Sequence, residues 1–326
     1  AIQTDPKFHE GQYYGTGEFP HMGLAIARML GHITYLSVES MTKRFDVNRH
    51  EPRDIATEFE KRFSVGSYLA YQGDKFVGRF DANSYVSITL AMDHFDLGGS
   101  HEERVRSLQP AQCDWLVVSF SSDWLFPPAQ SRELVAVMTS LGQQVSYCEI
   151  ETDGGHDGFL LPDDIEAYGP LIRARLGNPR PRLPTRRIQD DRIIELIPPG
   201  SSVLDLGCGD GDLLARLRER GRGRLVGVDV STAFIAATMQ QGVDAIDCDL
   251  NLGLPEFHDG SFDYVVISET LQVVPNVERL LEDSLRVGKR AIVSFANFGY
   301  EALRNLFADA GRVPKAPGPY GFDWYD

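Results

Sequence analysis

The second half of the sequence alternates between short apolar runs and segments with helical spacing, and no other feature restricts the fold as strongly. Apolar runs at 202–206, 224–228 and 262–267 are typical of buried strands, and helical patterns at 211–220 and 232–241 lie between them. Strands that alternate with helices form a parallel sheet with helices on both faces, so we predict a doubly wound α/β domain. The other predicted elements are the end of a helix at 192–197, strands at 245–246 and 290–295, and a helix at 277–287.

The first half has a different pattern. In residues 1–100 the apolar side chains mostly recur at the spacing of a helix, and this pattern changes at Asp114. A short apolar run from Trp115 ends in small polar residues, as a buried parallel strand does at its carboxyl end. We therefore predict that 112–176 forms a strand–helix–strand–helix tail of an α/β domain. The predicted elements are helices at 23–36, 53–66, 84–93, 131–141 and 164–176, a strand at 145–150 and a loop at 154–156.

A proline-rich stretch separates the two halves. Within residues 177–187, the stretch 177–185 contains three prolines and two arginines and has neither helical nor strand periodicity. Such composition is typical of a linker, and a length of 326 residues fits about two domains. We therefore predict one domain at 1–176, with a helical part at 1–100 and a sheet part at 112–176, and a second domain at 188–326.

Composition excludes several classes of protein. A net charge of -15 argues against general nucleic-acid binding, which needs a basic surface. The cysteines are widely spaced and form no C-x-x-C pair, so we expect no metal site and a reducing cytoplasm. No apolar run approaches the roughly 20 residues that span a bilayer, so we expect no membrane partner.

The most specific motif lies in the second half, where the strand that contains Asp205 leads into Gly207, Gly209 and Gly211. Glycines at alternate positions let the backbone come close to a ligand where a Cβ would collide. This G-x-G-x-G pattern departs from the G-x-G-x-x-G of dinucleotide-binding loops. Cys208 lies inside the loop, and we interpret it as a small packed residue rather than a nucleophile.

Two acids follow the next two predicted strands. Asp229 comes about twenty residues after the glycine loop, where an acid accepts hydrogen bonds from ribose hydroxyls. Asp249 follows the third strand, where an adenine would be held. The alternative is that the glycines only make a tight turn and the acids only cap helices. The agreement between loop, spacing and acids favours the ligand site.

In the first half, Asp123 and His156 have the order and spacing of the acid and base of a hydrolase-type triad. Each follows a predicted strand, and loops at strand carboxyl ends carry the sites of doubly wound sheets. The serine turn G-x-S-x-G does not occur between Ala1 and Asp326. Either the chemistry is not acyl transfer, or the chain begins after its own nucleophile; by itself, a lone loop histidine is more often a surface residue.

The second half resembles the class I S-adenosylmethionine-dependent methyltransferases, and more closely the MetW family of methionine biosynthesis proteins. The matching runs are IIELIPPGSSVLDLGCGDGDLL, FHDGSFDYVVISETLQVV and LRVGKRAIVSFANFG. The resemblance covers about 190–326 and implies a Rossmann-like fold, and the family usually continues beyond the end of this sequence. It implies that Asp205, Gly207, Gly209 and Asp229 line an S-adenosylmethionine pocket, and from their positions in the sequence we expect Gly211 and Asp249 to belong to it as well. No cysteine, base or metal cluster identifies a methyl acceptor.

The first half resembles the carboxyl-terminal part of the homoserine O-acyltransferases (MetX), which are α/β-hydrolases. The matching runs are PHMGLAIARMLGHITYLS, FSVGSYLAYQGDKFVGRFDANSYVSITLAMDHFDL, LVVSFSSDWLFPPAQS and GGHDGFL. The resemblance implies that Asp123 and His156 are the triad acid and base, that Asp157 holds the homoserine amino group and that Arg28 holds its carboxylate. It also implies acyl-CoA as co-substrate, with a helical lid at 1–100 that covers the site and forms a homodimer.

Three interpretations remain open at this point. The first is a fused methionine-biosynthesis protein that acylates L-homoserine from acetyl-CoA or succinyl-CoA, with succinyl favoured. In the second, the MetW-like half only binds its cofactor and supports the acyltransferase. In the third, the MetW-like half is an active methyltransferase joined to a non-catalytic remnant. We expect residues 1–326 to have no acyltransferase activity, since His156 has no serine to deprotonate.

Overall fold

A computed structural model gives the fold of residues 1–45, 64–177, 188–221 and 223–295. The described residues form two compact units, each built from separate stretches of the chain. The segments of the first unit are Ala1–Ser107, Ser119–Pro128 and Glu151–Ile165. The segments of the second unit are Leu108–Val118, Ala129–Ile150 and Glu166–Asp326.

The first unit is mostly helical, as predicted for residues 1–100. The predicted helices at 23–36 and 84–93 are confirmed, whereas most of the predicted helix at 53–66 lies outside the described residues. The helices are α1 (His21–Tyr35), α2 (Val38–Arg44), α3 (Ser64–Val77), α4 (Ala82–Asp93) and α5 (His101–Leu108).

Side-chain caps and a small core hold these helices. Ser37 Oγ accepts the N–H of Ser40 at the start of α2, which satisfies a donor that the helix leaves unpaired. Helix α1 packs on α3, where a Cβ on Gly73 would lie 3.2 Å from the carbonyl oxygen of Ala25. The buried Tyr13 hydroxyl donates to Asp81, the residue that caps α4. The helices of this unit therefore pack around a core of their own.

The second unit contains a seven-stranded sheet in its described residues, with strand order β1-β2-β5-β4-β3-β6-β7. The strands are β1 (Trp115–Phe120), β2 (Val145–Ile150), β3 (Val203–Leu206), β4 (Leu225–Asp229), β5 (Asp244–Asp247), β6 (Tyr264–Ser268) and β7 (Ala291–Ser294). The helices between and around them are α6 (Pro128–Ser140), α7 (Pro162–Leu176), α8 (Ile188–Leu196), α9 (Asp212–Glu219), α10 (Thr232–Gln240) and α11 (Val277–Val287).

Parallel pairing confirms the predicted α/β class. β3 is an interior strand and pairs in parallel with β4 through Asp205↔Gly227 and with β6 through Asp205↔Val266. β3 and β4 are buried along their whole length, as strands covered on both faces are. The predicted strands and helices of this half agree with the structure to within a few residues at their ends.

Strands from both halves of the sequence share this sheet. β2 pairs in parallel with β5 through Tyr147↔Ile246. The predicted linker lies almost wholly outside the described residues, since 178–187 are not among them. Division into domains at 1–176 and 188–326 therefore stays a prediction, and the shared sheet is an additional finding.

No helix in the described ranges is both long and apolar enough to cross a bilayer. These ranges also contain no group of three histidine, cysteine or acidic side chains arranged to hold a metal ion.

Candidate functional site

In the first unit, the structure brings Asp123 and His156 together. His156 Nδ1 lies 3.0 Å from Asp123 Oδ2, while Asp123 Oδ1 accepts the N–H groups of Leu125 at 3.0 Å and Phe126 at 2.9 Å. The Asp123 side chain is 7% exposed and that of His156 is 24% exposed. A carboxylate fixed in this way can orient the imidazole of a catalytic base.

Serine hydroxyls link the loop of the acid to the loop of the base. Ser121 Oγ accepts the Thr152 N–H at 2.9 Å and donates to the Thr152 carbonyl at 3.2 Å. Ser122 Oγ accepts the N–H of Gly155, the residue before His156, at 2.9 Å. Sequence reasoning missed both serines, although they directly precede Asp123 and short polar side chains commonly bond to nearby backbone.

Gly155 allows the base loop to approach the end of α1. It has φ +70°, and a Cβ there would lie 2.5 Å from the Ser37 N and 2.9 Å from the Leu36 carbonyl carbon. Only glycine fits so close a backbone contact. The predicted loop at 154–156 is partly wrong, because a 3₁₀ helix begins at Gly155 and extends to Leu160.

Aromatic rings surround the imidazole. The Phe126, Tyr35 and Phe159 ring centroids lie 5.1, 5.6 and 5.7 Å from that of His156. Tyr35 also lies against Arg28, whose Cζ is 5.6 Å from the Tyr35 centroid and 4.9 Å from that of Phe76. Tyr35 therefore connects Arg28 to the acid–base pair, a contact that the helical spacing of α1 did not reveal.

Burial shifts the pKa values of two ionisable side chains near the Asp123–His156 pair. Burial raises the pKa of Asp157 above its ordinary value, against the lowering effect of His156, Arg28 and Arg44. Burial and the charge of Arg28 lower the pKa of His32 to about 4, so this imidazole is neutral near pH 7. His32 Nδ1 lies 3.3 Å from the Tyr68 hydroxyl. Arg28 and Asp157 are therefore close enough for their opposite charges to interact.

In the second unit, the glycine loop follows β3 and is held by the neighbouring strand. The N–H groups of Gly207 and Cys208 donate to the Val228 carbonyl at 2.8 and 2.9 Å. Asp205 lies in β3 and is 3% exposed. Burial raises the pKa of the Cys208 thiol well above its ordinary value, which fits the prediction of a packed residue.

The three glycines of the loop differ in their surroundings. A Cβ on Gly207 would lie 2.2 Å from Thr270 Oγ1, and one on Gly211 would lie 2.8 Å from Thr238 Oγ1. A Cβ on Gly209 would meet no atom within 4 Å. Gly207 and Gly211 therefore allow close packing, and Gly209 faces open space of the kind that a ligand fills.

Asp229 is buried at the end of β4 and anchors the loop. Its Oδ2 accepts the Gly209 N–H at 3.0 Å and its Oδ1 accepts the Ser231 N–H at 2.9 Å. Burial raises the pKa of Asp229, while those N–H bonds oppose the rise. Each carboxylate oxygen has a second lone pair, so the group can still accept from a ribose hydroxyl.

Asp249 follows β5 at the same edge of the sheet. Its Oδ1 accepts the Asn251 N–H at 2.9 Å and so caps a short 3₁₀ helix that begins at Leu250. Because β3, β4 and β5 run parallel, Asp205, Asp229 and Asp249 are brought to neighbouring positions at their carboxyl ends.

Two threonines that sequence reasoning missed support the loop. Thr238 Oγ1 donates to the Gly209 carbonyl at 3.1 Å, and Thr270 packs against Gly207. Both come from elements distant in sequence, so only the fold reveals them.

Comparison with known proteins relates the two halves to different families. The family described as "Methionine biosynthesis protein MetW" matches residues 187–326. The bifunctional methionine biosynthesis protein MetXA/MetW of Rhodopirellula baltica is 55% identical over 339 aligned positions, which cover 100% of this chain and 54% of that protein.

Relatives of the first half carry acyltransferase names. Homoserine O-succinyltransferase of Bordetella petrii is 45% identical over 56% of this chain and 45% of its own length. Homoserine O-acetyltransferase of Rhodopseudomonas palustris is 46% identical over 54% of this chain and 44% of its own length. The crystal structure of homoserine O-acetyltransferase from Bacillus anthracis matches with a TM-score of 0.46 at 19% identity, over 54% of this chain and 46% of that chain. This chain spans about half the length of the curated relatives it matches.

The unequal surroundings of the loop glycines generate a prediction. Gly207→Ala is expected to destabilise the second unit by about 3 kcal/mol, because left-handed strain adds to the collision with Thr270. Gly209→Ala carries only the strain of φ +56° and is expected to cost about 1 kcal/mol. Urea denaturation followed by circular dichroism measures both, and equal losses would contradict the assigned packing.

Proposed function

We propose that this chain, whose first half is similar to homoserine O-acyltransferases and whose residues 187–326 match the MetW family, serves methionine biosynthesis by acylating L-homoserine. The hydrogen-bonded pair of Asp123 and His156 carries the proposal. The acyl donor is a coenzyme A thioester, and the names of the relatives include both succinyltransferases and acetyltransferases.

His156 acts as the base in the proposed reaction. Nε2 takes the proton first from a serine that lies outside this sequence and then from the homoserine hydroxyl, and Asp123 stabilises the imidazolium formed each time. The serine oxygen attacks the thioester and takes the acyl group, while the imidazolium gives its proton to the departing coenzyme A thiolate. The homoserine oxygen then takes the acyl group from the serine, and the imidazolium returns its second proton to the serine oxygen. The aromatic rings of Tyr35, Phe126 and Phe159 partly exclude water from the imidazole, which strengthens the attraction to Asp123.

Arg28 and Asp157 hold the substrate in this proposal. The Arg28 guanidinium pairs with the homoserine carboxylate, and Asp157 pairs with its amino group. Support comes from Tyr35, which contacts both Arg28 and His156, and from the charge interaction between Arg28 and Asp157. A substrate held by both charged groups of its α-carbon would leave its side-chain hydroxyl to reach the base.

S-adenosylmethionine is the cofactor that we propose for the MetW segment. Gly209 has open space where a ligand can approach, and Asp229 has lone pairs for the ribose hydroxyls. We place the adenosine between Asp229 and Asp249, with Asp205 and the three glycines beneath it. When bound, the cofactor would supply an activated methyl group. We assign no described residue as the base of a methyl acceptor and propose cofactor binding alone.

The acid–base assignment predicts a loss in turnover. In an active protein that carries this chain together with its serine nucleophile, Asp123→Asn should lower kcat by about three to four orders of magnitude, because the imidazolium loses its counter-charge. Release of the coenzyme A thiol in the presence of homoserine measures the rate. A variant with nearly full kcat would refute the role of Asp123.

Arg28→Met provides the contrasting variant in that assay, since it keeps the apolar stem over Phe76 but removes the charge. It should raise the KM for homoserine by about tenfold or more and leave kcat largely unchanged. Arg106→Met, an exposed arginine of α5, is the matched control and should change neither constant.

Cofactor binding is tested on the chain itself. Asp229→Ala should weaken S-adenosylmethionine binding at least about tenfold, because charge-assisted hydrogen bonds to the ribose are lost. Calorimetric titration measures the affinity, and Glu219→Ala on the exposed end of α9 is the control. Unchanged affinity in Asp229→Ala would overturn the ribose assignment, and transfer of an isotope-labelled methyl group to any acceptor would show methyltransferase activity.

We also propose a homodimer formed through the helical lid, in the cytoplasm. Met22, Ile26, Leu30 and Ile33 are exposed along one stripe of α1, and contiguous apolar surface of this kind commonly marks an interface. The cysteines are free thiols, which agrees with a reducing compartment.

Leu30→Glu should convert the dimer to a monomer, because it places a charge at the centre of that stripe. Sedimentation velocity measures the mass, and Ser87→Glu on the exposed face of α4 is the control. A dimer that persists in Leu30→Glu at micromolar concentration would exclude α1 as the contact.

A further inference from the structure

The seam between β2 and β5 joins the two sequence halves inside the second unit. Tyr147 pairs with Ile246, and both side chains are fully buried. The Glu149 N–H donates to Asp247 Oδ2 at 3.0 Å, so side-chain and backbone bonds both cross the seam. An edge strand left without such a partner would expose a row of unsatisfied backbone groups.

The carboxyl end of the seam touches the segments that carry the proposed cofactor acids. Asp247, which binds the Glu149 N–H, lies two residues before Asp249. Thr232 lies three residues after Asp229, and its Oγ1 is 3.6 Å from the Sγ of the buried Cys148. Asp229 and Asp249 are therefore each a few residues from a direct contact with β2.

The amino end of the seam is held by a partly buried ion pair. Arg175 Nη2 of α7 lies 2.9 Å from Asp244 Oδ1, and the two side chains are 18% and 13% exposed. Ser146 Oγ of β2 accepts the Ala245 N–H at 3.1 Å and lies 3.3 Å from both Arg175 and Asp244. Charge and hydrogen bonding thus fix the start of β5 against the acyltransferase-type elements.

A second set of charged side chains forms ion pairs at the carboxyl end of the seam. Arg132 of α6 lies 2.7 Å from Glu149 and 3.8 Å from Glu256, whose side chain is 2% exposed. Glu256 also accepts from the Cys248 thiol at 3.4 Å, beside Asp249. The stretch around Asp249 is therefore tied to α6 as well as to β2.

We infer that β2 and α7 are positioning elements of the cofactor pocket, which is complete only when these acyltransferase-type elements are docked on β5. The inference rests on the proposed binding of S-adenosylmethionine. Ser146 and Arg175 act through β5 and do not touch the cofactor. The pocket thus needs residues from outside 188–326.

A charge exchange in the full chain tests the inference. Arg175→Asp places like charges across the seam and should weaken S-adenosylmethionine binding about tenfold. The double variant Arg175→Asp with Asp244→Arg should restore the affinity to within about threefold. Arg173→Asp, an exposed change two residues away on α7, should leave it unchanged. Wild-type affinity in Arg175→Asp, or no recovery in the double variant, would overturn the inference.

Ser146→Ala provides a milder variant in case Arg175→Asp does not fold. It removes the acceptor of the Ala245 N–H and should weaken binding about threefold, with faster hydrogen exchange at 245–251; wild-type affinity and exchange would refute the inference. If the wild-type chain binds no S-adenosylmethionine, the cofactor assignment fails separately. The exchange at 245–251 in Ser146→Ala then decides the docking role, since faster exchange supports it and unchanged exchange overturns it.

Discussion

Parallel pairing of β3 with β4 and β6 is the interaction on which the rest of the second unit depends. It brings the carboxyl ends of the strands to one edge, where their loops meet. The glycine loop then closes on the Val228 carbonyl through two backbone N–H bonds. The Asp229 carboxylate adds a bond to the Gly209 N–H, and the second lone pair on each of its oxygens allows it to serve both the loop and a ligand.

The acid–base pair of the first unit is held differently, by short-range contacts between loops. Ser121 and Ser122 bond the backbone around His156, and the missing Cβ of Gly155 allows that backbone to reach Ser37. These contacts leave Asp123 with two N–H donors on one oxygen and the imidazole on the other. The pair is therefore preorganised, which is what a base needs if it is to act without rearrangement.

Periodicity and local motifs were sufficient to predict the strands, most of the helices and the acids that follow β4 and β5. Parallel strands and glycine loops have strong local signals, which explains this agreement. The supporting contacts could not be predicted, because Thr270 reaches Gly207 and Tyr35 reaches His156 across large separations in sequence. The shared sheet was missed for the same reason, since β2 carries no local signal of its partner.

The polar ends of the β2–β5 seam explain why this pairing has one register. Side chains repeat every two residues along a strand, so a slip by two would keep apolar residues buried and would be tolerated by apolar packing alone. Such a slip would separate Arg175 from Asp244 at one end and Arg132 from Glu256 at the other. A charge left unpaired in a partly buried site costs far more than the intact pair contributes, so the ion pairs act mainly against wrong registers. The single register keeps Asp247 hydrogen-bonded to the Glu149 N–H. This bond in turn fixes the position of Asp249, two residues later.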